Sequence, residues 1–84
     1  MNTKADYLIT FHATSDAMRA EKCCSGEQLK SRLRPVPREL SSSCGLALEA
    51  TSVKLKEIKE ILNDNRVEIE AIYLKDGSYQ QVES

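Results

Sequence analysis

The stretch PVPRELSSSCGLALE, from Pro35 to Glu49, decides how the rest of the chain is read. Pro35 and Pro37 lack backbone N–H donors, so a strand arriving through Leu29–Pro35 has to end there. The following segment VPRELSSSCG has no apolar period, is rich in Ser and closes on Gly45, which marks an irregular loop of about ten residues. Beyond it Leu46, Leu48 and Ala50 alternate with Ala47 and Glu49 as a new strand. The middle of the chain is therefore two strands joined by a long loop, and such loops are often functional.

Working outward, Tyr7 to Phe11 alternates aromatic and β-branched residues as a first strand. Thr14 then offers an N-cap for a helix over Ser15–Ser25, ended by Gly26. Downstream, Thr51 or Ser52 is expected to cap a second helix whose buried stripe is Leu55, Ile58, Ile61 and Leu62. The run Val67–Leu74 alternates as a fourth strand, and the residues from Lys75 onward read as a frayed polar tail. The order is βαββαβ, which predicts an α+β, ferredoxin-like domain: a four-stranded antiparallel sheet with two helices on one face. A single domain over residues 1–75 and a polar C-terminal tail over 76–84 are expected. With right-handed crossovers, strands one and two run parallel, so His12, Thr14, Arg38 and Cys44 gather at one edge of the sheet.

The chain has 84 residues with 12 basic and 13 acidic side chains, a net charge of −1, and no Lys/Arg block. That balance supplies no electrostatic footprint for nucleic acid or an anionic membrane, so neither is expected as a partner. The opening MNTKADYLITFH reads straight into a strand without an apolar leader, and a cytoplasmic location is expected. Three cysteines cannot close a full set of internal disulfides, which fits a reducing compartment. Four zinc ligands would require every Cys together with His12, although Cys23 and Cys24 are adjacent on a helix; no metal or other cofactor is expected.

Cys44 is the candidate reactive group, because it lies in a loop between Ser43 and Gly45 rather than on an apolar stripe; the other reading is a small, half-buried residue that begins the third strand. A free thiol is only slightly ionised at neutral pH, and Arg38, the helix-one N-terminus and the Ser hydroxyls are candidate stabilisers of a thiolate. Arg38, stiffened by the two prolines, could instead hold another anion, or be a solvated loop residue. His12 could exchange a proton, or merely end its strand. Cys24 falls on the Ala17 and Ala20 face of helix one and reads as core, with Cys23 beside it. Arg32 and Arg34 are expected to form cross-strand charge pairs with Glu49, Glu68 and Glu70. On the sheet face without helices, Leu8, Ile72 and Leu74 would make an apolar strip able to support a homodimer.

Pro35, Pro37, Arg38, Ser43, Cys44 and Gly45 together resemble the signature of a small bacterial family of selenium/sulfur carrier-like domains: P-x-P-R, a Ser-rich turn, then S-C-G. The opening TFHATSDAMRAEK is similar to the family's first strand and helix, with Phe11, Ala17 and Glu21 in matching places. The resemblance implies a cysteine that carries sulfur or selenium as a persulfide or selenium adduct. It also implies donor and acceptor proteins, TusA-like and selenium-metabolism proteins among them. Cys23 and Cys24 stand where the family pattern implies an aliphatic residue, which raises the question of a second thiol that resolves or stores the cargo.

The expected function is therefore a thiol-based carrier, rather than a turnover enzyme, with Cys44 as acceptor, Arg38 as anion stabiliser and His12 as a candidate proton carrier. Two alternatives remain at this stage: a regulatory module binding a small anion, with Cys44 a bystander, and a thiol redox sensor.

Overall fold

The computed structural model describes residues 4–26 and 29–83. In chain order the elements are β1 (Ala5–Thr10), α1 (Thr14–Gly26), β2 (Lys30–Pro35), β3 (Leu46–Val53), α2 (Leu55–Asp64), β4 (Ala71–Asp76) and β5 (Ser78–Glu83). The fold is α+β: five strands in the order β2-β3-β1-β4-β5, every pairing antiparallel. The expected βαββαβ order is present, but the sheet has five strands rather than four. The addition comes from the stretch read as a polar tail. Asp76-Gly77-Ser78 turns the chain back, Gly77 adopting φ +77°, and β5 pairs along β4. Asp-Gly followed by a Tyr/Val-containing segment is a hairpin signal that the polar composition masked.

Both helices cover one face of the sheet. Tyr7, Ile9 and Phe11 from β1 and its end pack with Leu48 and Ala50 of β3 and Ile72 of β4. Ala17, Ala20 and Cys24 of α1 and Ile58 and Leu62 of α2 close that core from above. Ala17, Ala20 and Cys24 lie on one helical face at spacings of three and four. The small residues among them let α1 approach the sheet closely, and Cys24 is core as expected.

Three local expectations change. The residue before α1 that accepts its first bonds is Ala13, whose carbonyl takes the N–H groups of Asp16 and Ala17, so Thr14 is inside the first turn. Thr51 and Ser52 belong to β3, which carries one extra residue opposite β1. Ser52 takes φ 56° there and donates its N–H to Asp6 Oδ1 at 2.9 Å. The cap of α2 is Lys54, whose N–H is returned to Glu57 Oε1 at 3.2 Å. At the other end of α2 the N–H of Val67 reaches Leu62 O and that of Arg66 reaches Asn63 O, with Arg66 at φ 56°. This is a Schellman closure that places Arg in a position glycine usually fills.

That closure occupies Val67 and moves the start of β4 to Ala71, so the pleat runs in the opposite sense to the expectation. Ile72 is fully buried among the helices and Leu74 packs against the same core. The strip of Leu8, Ile72 and Leu74 therefore does not exist: Leu8 pairs with Tyr73 on the far face, whereas Ile72 pairs with Ile9 on the near one. Glu68 and Glu70 precede the strand, so Arg32 and Arg34 both turn to Glu49, each at 3.2 Å.

Candidate functional site

The loop from Val36 to Gly45 hangs from the ends of β2 and β3. The ladder's last rung is Pro35 opposite Leu46, and Val36 N–H donates to Gly45 O at 3.0 Å to close the neck. Pro37 then starts a tight turn in which Leu40 N–H returns to Pro37 O at 3.0 Å. Pro37 is the first residue of this turn, and its ring fixes φ just ahead of the central pair Arg38 and Glu39. Gly45 leaves the loop at φ +76°, a conformation with steric cost for any L side chain.

Side-chain and backbone bonds hold the tip of this loop against two other elements. Ser42 Oγ donates to Phe11 O at 3.0 Å, immediately after β1, and Ser43 N–H donates to Glu70 Oε1 at 3.3 Å, immediately before β4. Glu70 is itself fixed, its own N–H donating to Thr10 O at 2.7 Å. The expected gathering of the β1 end with the β2–β3 loop thus occurs, and the start of β4 joins it. Neither Ser42 nor Glu70 stood out in the sequence. Ser42 is one of three consecutive serines, and Glu70 read as the wet side of a strand that begins one residue later.

Cys44 is half-buried and rests against the edge of the core, its S–H donating to Leu46 O at 3.5 Å. Only the protonated sulfur can make that bond, so a reaction at Cys44 begins by giving it up. Ser43 and Gly45 flank it in the chain. Arg38 occupies the exposed tight turn and His12 the exposed step between β1 and α1. Among the described residues neither side chain bonds Cys44; the thiol's recorded partner is the Leu46 carbonyl. Pro35 and Pro37 flank the loop neck and shape the turn. Cys23, in the last turns of α1, is half-buried against the core.

No group of three or more His, Cys, Asp or Glu among the described residues is placed to hold a metal, and no described helix is long and apolar enough to cross a membrane.

Fold and loop together define a small α+β domain that presents one cysteine at a sheet end on a long loop pinned at its tip. Residues 6–74 match the family described as "Putative Se/S carrier protein-like", and the chain belongs to that family. It is also 40% identical over 83 residues to a protein of Aquifex aeolicus (strain VF5) named "Putative sulfur carrier protein". The alignment covers 94% of this chain and 42% of the relative, so the chain spans less than half the length of the curated protein it matches. No solved structure matches it significantly.

Proposed function

We propose that this chain is a sulfur or selenium carrier that accepts its cargo on Cys44 and passes it between partner proteins. The observation that carries the reading is the placement of Cys44: the S-C-G segment of a carrier family's chain sits at a sheet end, with Ser42 and Ser43 tied to neighbouring elements. The scaffold is read as a ferredoxin-like βαββαβ core with an added edge strand, working in the cytoplasm.

In the loading step the Cys44 thiol loses its proton to solvent or a neighbouring base and gives up Leu46 O. The thiolate attacks the outer sulfur of a donor persulfide, R–S–SH. A new S–S bond forms at Cys44, the donor's S–S bond breaks, and the donor leaves as its thiolate, which takes up a proton. The transferred sulfur keeps its oxidation state, so no external oxidant is needed. Delivery is the same exchange onto an acceptor thiol, and a selenium atom bound to a donor sulfur follows the same course. Arg38, uncommitted in the exposed turn, is assigned to the terminal persulfide anion, and His12 to the proton.

The anion-binding alternative is less well supported at this loop, because the Ser43 N–H at its tip is held by the Glu70 carboxylate, a negative charge that would repel an anion there. A redox sensor would use the same cysteine but would need an oxidant. Incubation with a small persulfide donor under anaerobic conditions, read by intact mass spectrometry, separates them: one added sulfur on Cys44 supports the carrier, and an unmodified chain opposes it.

A further inference from the structure

The helix-free face of the sheet concentrates positive charge. Register puts Lys30, Arg32 and Arg34 of β2 and Lys75 of β4 on this face, against Glu49 and Asp6. Among the described residues, four cations against two carboxylates leave two surplus positive charges here, on a chain whose net charge is −1. Glu49 lies at the centre, with Arg32 and Arg34 at 3.2 Å and Lys75 at 3.1 Å. Lys75 reaches it from the far side of β1, over Leu8, which is fully buried although no helix covers it. Arg32, Arg34 and Lys75 each make one bond to Glu49 and keep other donors, and the Arg32 side chain is 76% exposed. At the β2 margin an open depression of about 270 Å³ is lined by Lys30, Ser31, Arg32, Glu49 and Thr51.

We propose that this face is a docking surface for a partner protein that presents an acidic face, one partner carboxylate seating in the depression between Lys30 and Arg32. Charge complementarity selects this occupant. A second copy of the chain, meeting face to face, would oppose one positive surplus with another. A nucleic acid needs a denser basic stripe, without a carboxylate at its centre, to replace the counterions of successive phosphates. A membrane would need exposed apolar side chains to insert, and Leu8 is covered. Tyr73 and Tyr79, both half-buried, flank the charged cluster and offer a partner aromatic contact. The surface is distinct from the Cys44 loop, and docking here does not depend on what the thiol carries.

The test titrates an extended peptide of alternating Glu and Thr into isotope-labelled chain and follows backbone amide shifts. Perturbations confined to residues 30–34, 47–51 and 71–75, with affinity falling as salt rises, are expected. Arg32→Gln and Lys75→Gln should each weaken binding by roughly twofold to fivefold, while Arg19→Gln, on α1, and Cys44→Ser should leave it unchanged. Shifts on the helix side, or indifference to both sheet variants, would overturn the proposal. So would tighter binding of a single-stranded oligonucleotide of equal length, which would assign the face to nucleic acid. A concentration-dependent dimer lost in Lys75→Gln would likewise contradict it, by assigning the face to a second copy.

Discussion

Ser42 Oγ donates to the carbonyl of Phe11 at 3.0 Å, across 31 positions of sequence, and this bond brings the cysteine loop against the end of the first strand. Ser42→Ala removes the donor and leaves a part-buried carbonyl without it, at a cost of about 0.5–1.5 kcal/mol. For a domain of this size that lowers Tm by roughly 4–8 °C per kcal/mol. Thermal unfolding checks the stability, and amide exchange should rise at residues 42–45 more than in β1. Uniform exchange along the chain would mean that the bond does not localise the loop.

Gly45→Ala tests the loop exit. The space around a Cβ there is empty, so the cost comes only from holding φ at +76°, about 1–2 kcal/mol. The converse substitution, Arg66→Gly, relieves a left-handed non-glycine residue after α2 and should stabilise by about 0.5–1 kcal/mol. Denaturant midpoints measure both; equal signs would contradict the account.

Glu49 gives a pH dependence. Burial pushes its pKa up, but the bonds from Lys75, Arg32 and Arg34 together outweigh burial and hold it below its ordinary value. A carboxylate with a depressed folded-state pKa contributes stability above its unfolded value. That contribution is lost as pH falls from about 4.3 through the folded value. Stability should therefore drop on acidification below that point, and Glu49→Gln should flatten this part of the profile while destabilising the chain at neutral pH by about 1–3 kcal/mol. Urea midpoints from pH 3 to 7 provide the check. Because Arg32 is largely solvent-exposed, its own share is small and should shrink with added salt.

The two thiol regions are predicted not to form a disulfide with each other. Leu29 N–H bonds Cys24 O at 3.2 Å, fixing the end of α1 at the start of β2, whereas Val36 N–H bonds Gly45 O, fixing Cys44 beyond its other end. Six residues of strand separate them by roughly 20 Å, against the limit of about 7 Å between Cα atoms for a disulfide. Mild oxidation should leave the monomer without a Cys23–Cys44 or Cys24–Cys44 link on peptide mapping. Finding one would require a different arrangement of α1.

The sequence was most informative where a residue has only one physical option. Pro35 and Pro37 could not continue a ladder, so the loop bounds and the following strand were readable, and the small-residue stripe on α1 named its buried face. Readings failed where tertiary bonds substitute for local signals. Lys54 caps α2 through Glu57, and the closure at Arg66 and Val67 delays β4 and reverses the faces of Ile72 and Leu74. A Gly77 turn recruits a polar segment as β5. At the site, the approach of the loop to β1 followed from topology. The roles of Ser42 and Glu70 did not, since a serine run and a strand-flanking glutamate look the same with or without a distant partner.

The most direct test of the central claim is anaerobic loading with a small persulfide donor, read by intact mass and peptide mapping on the unaltered chain, on Cys44→Ser and on Cys23→Ser. The account predicts one added sulfur atom located on Cys44, undiminished in Cys23→Ser and absent in Cys44→Ser. Sulfur distributed equally between Cys23 and Cys44, or a chain that gains none, would contradict it.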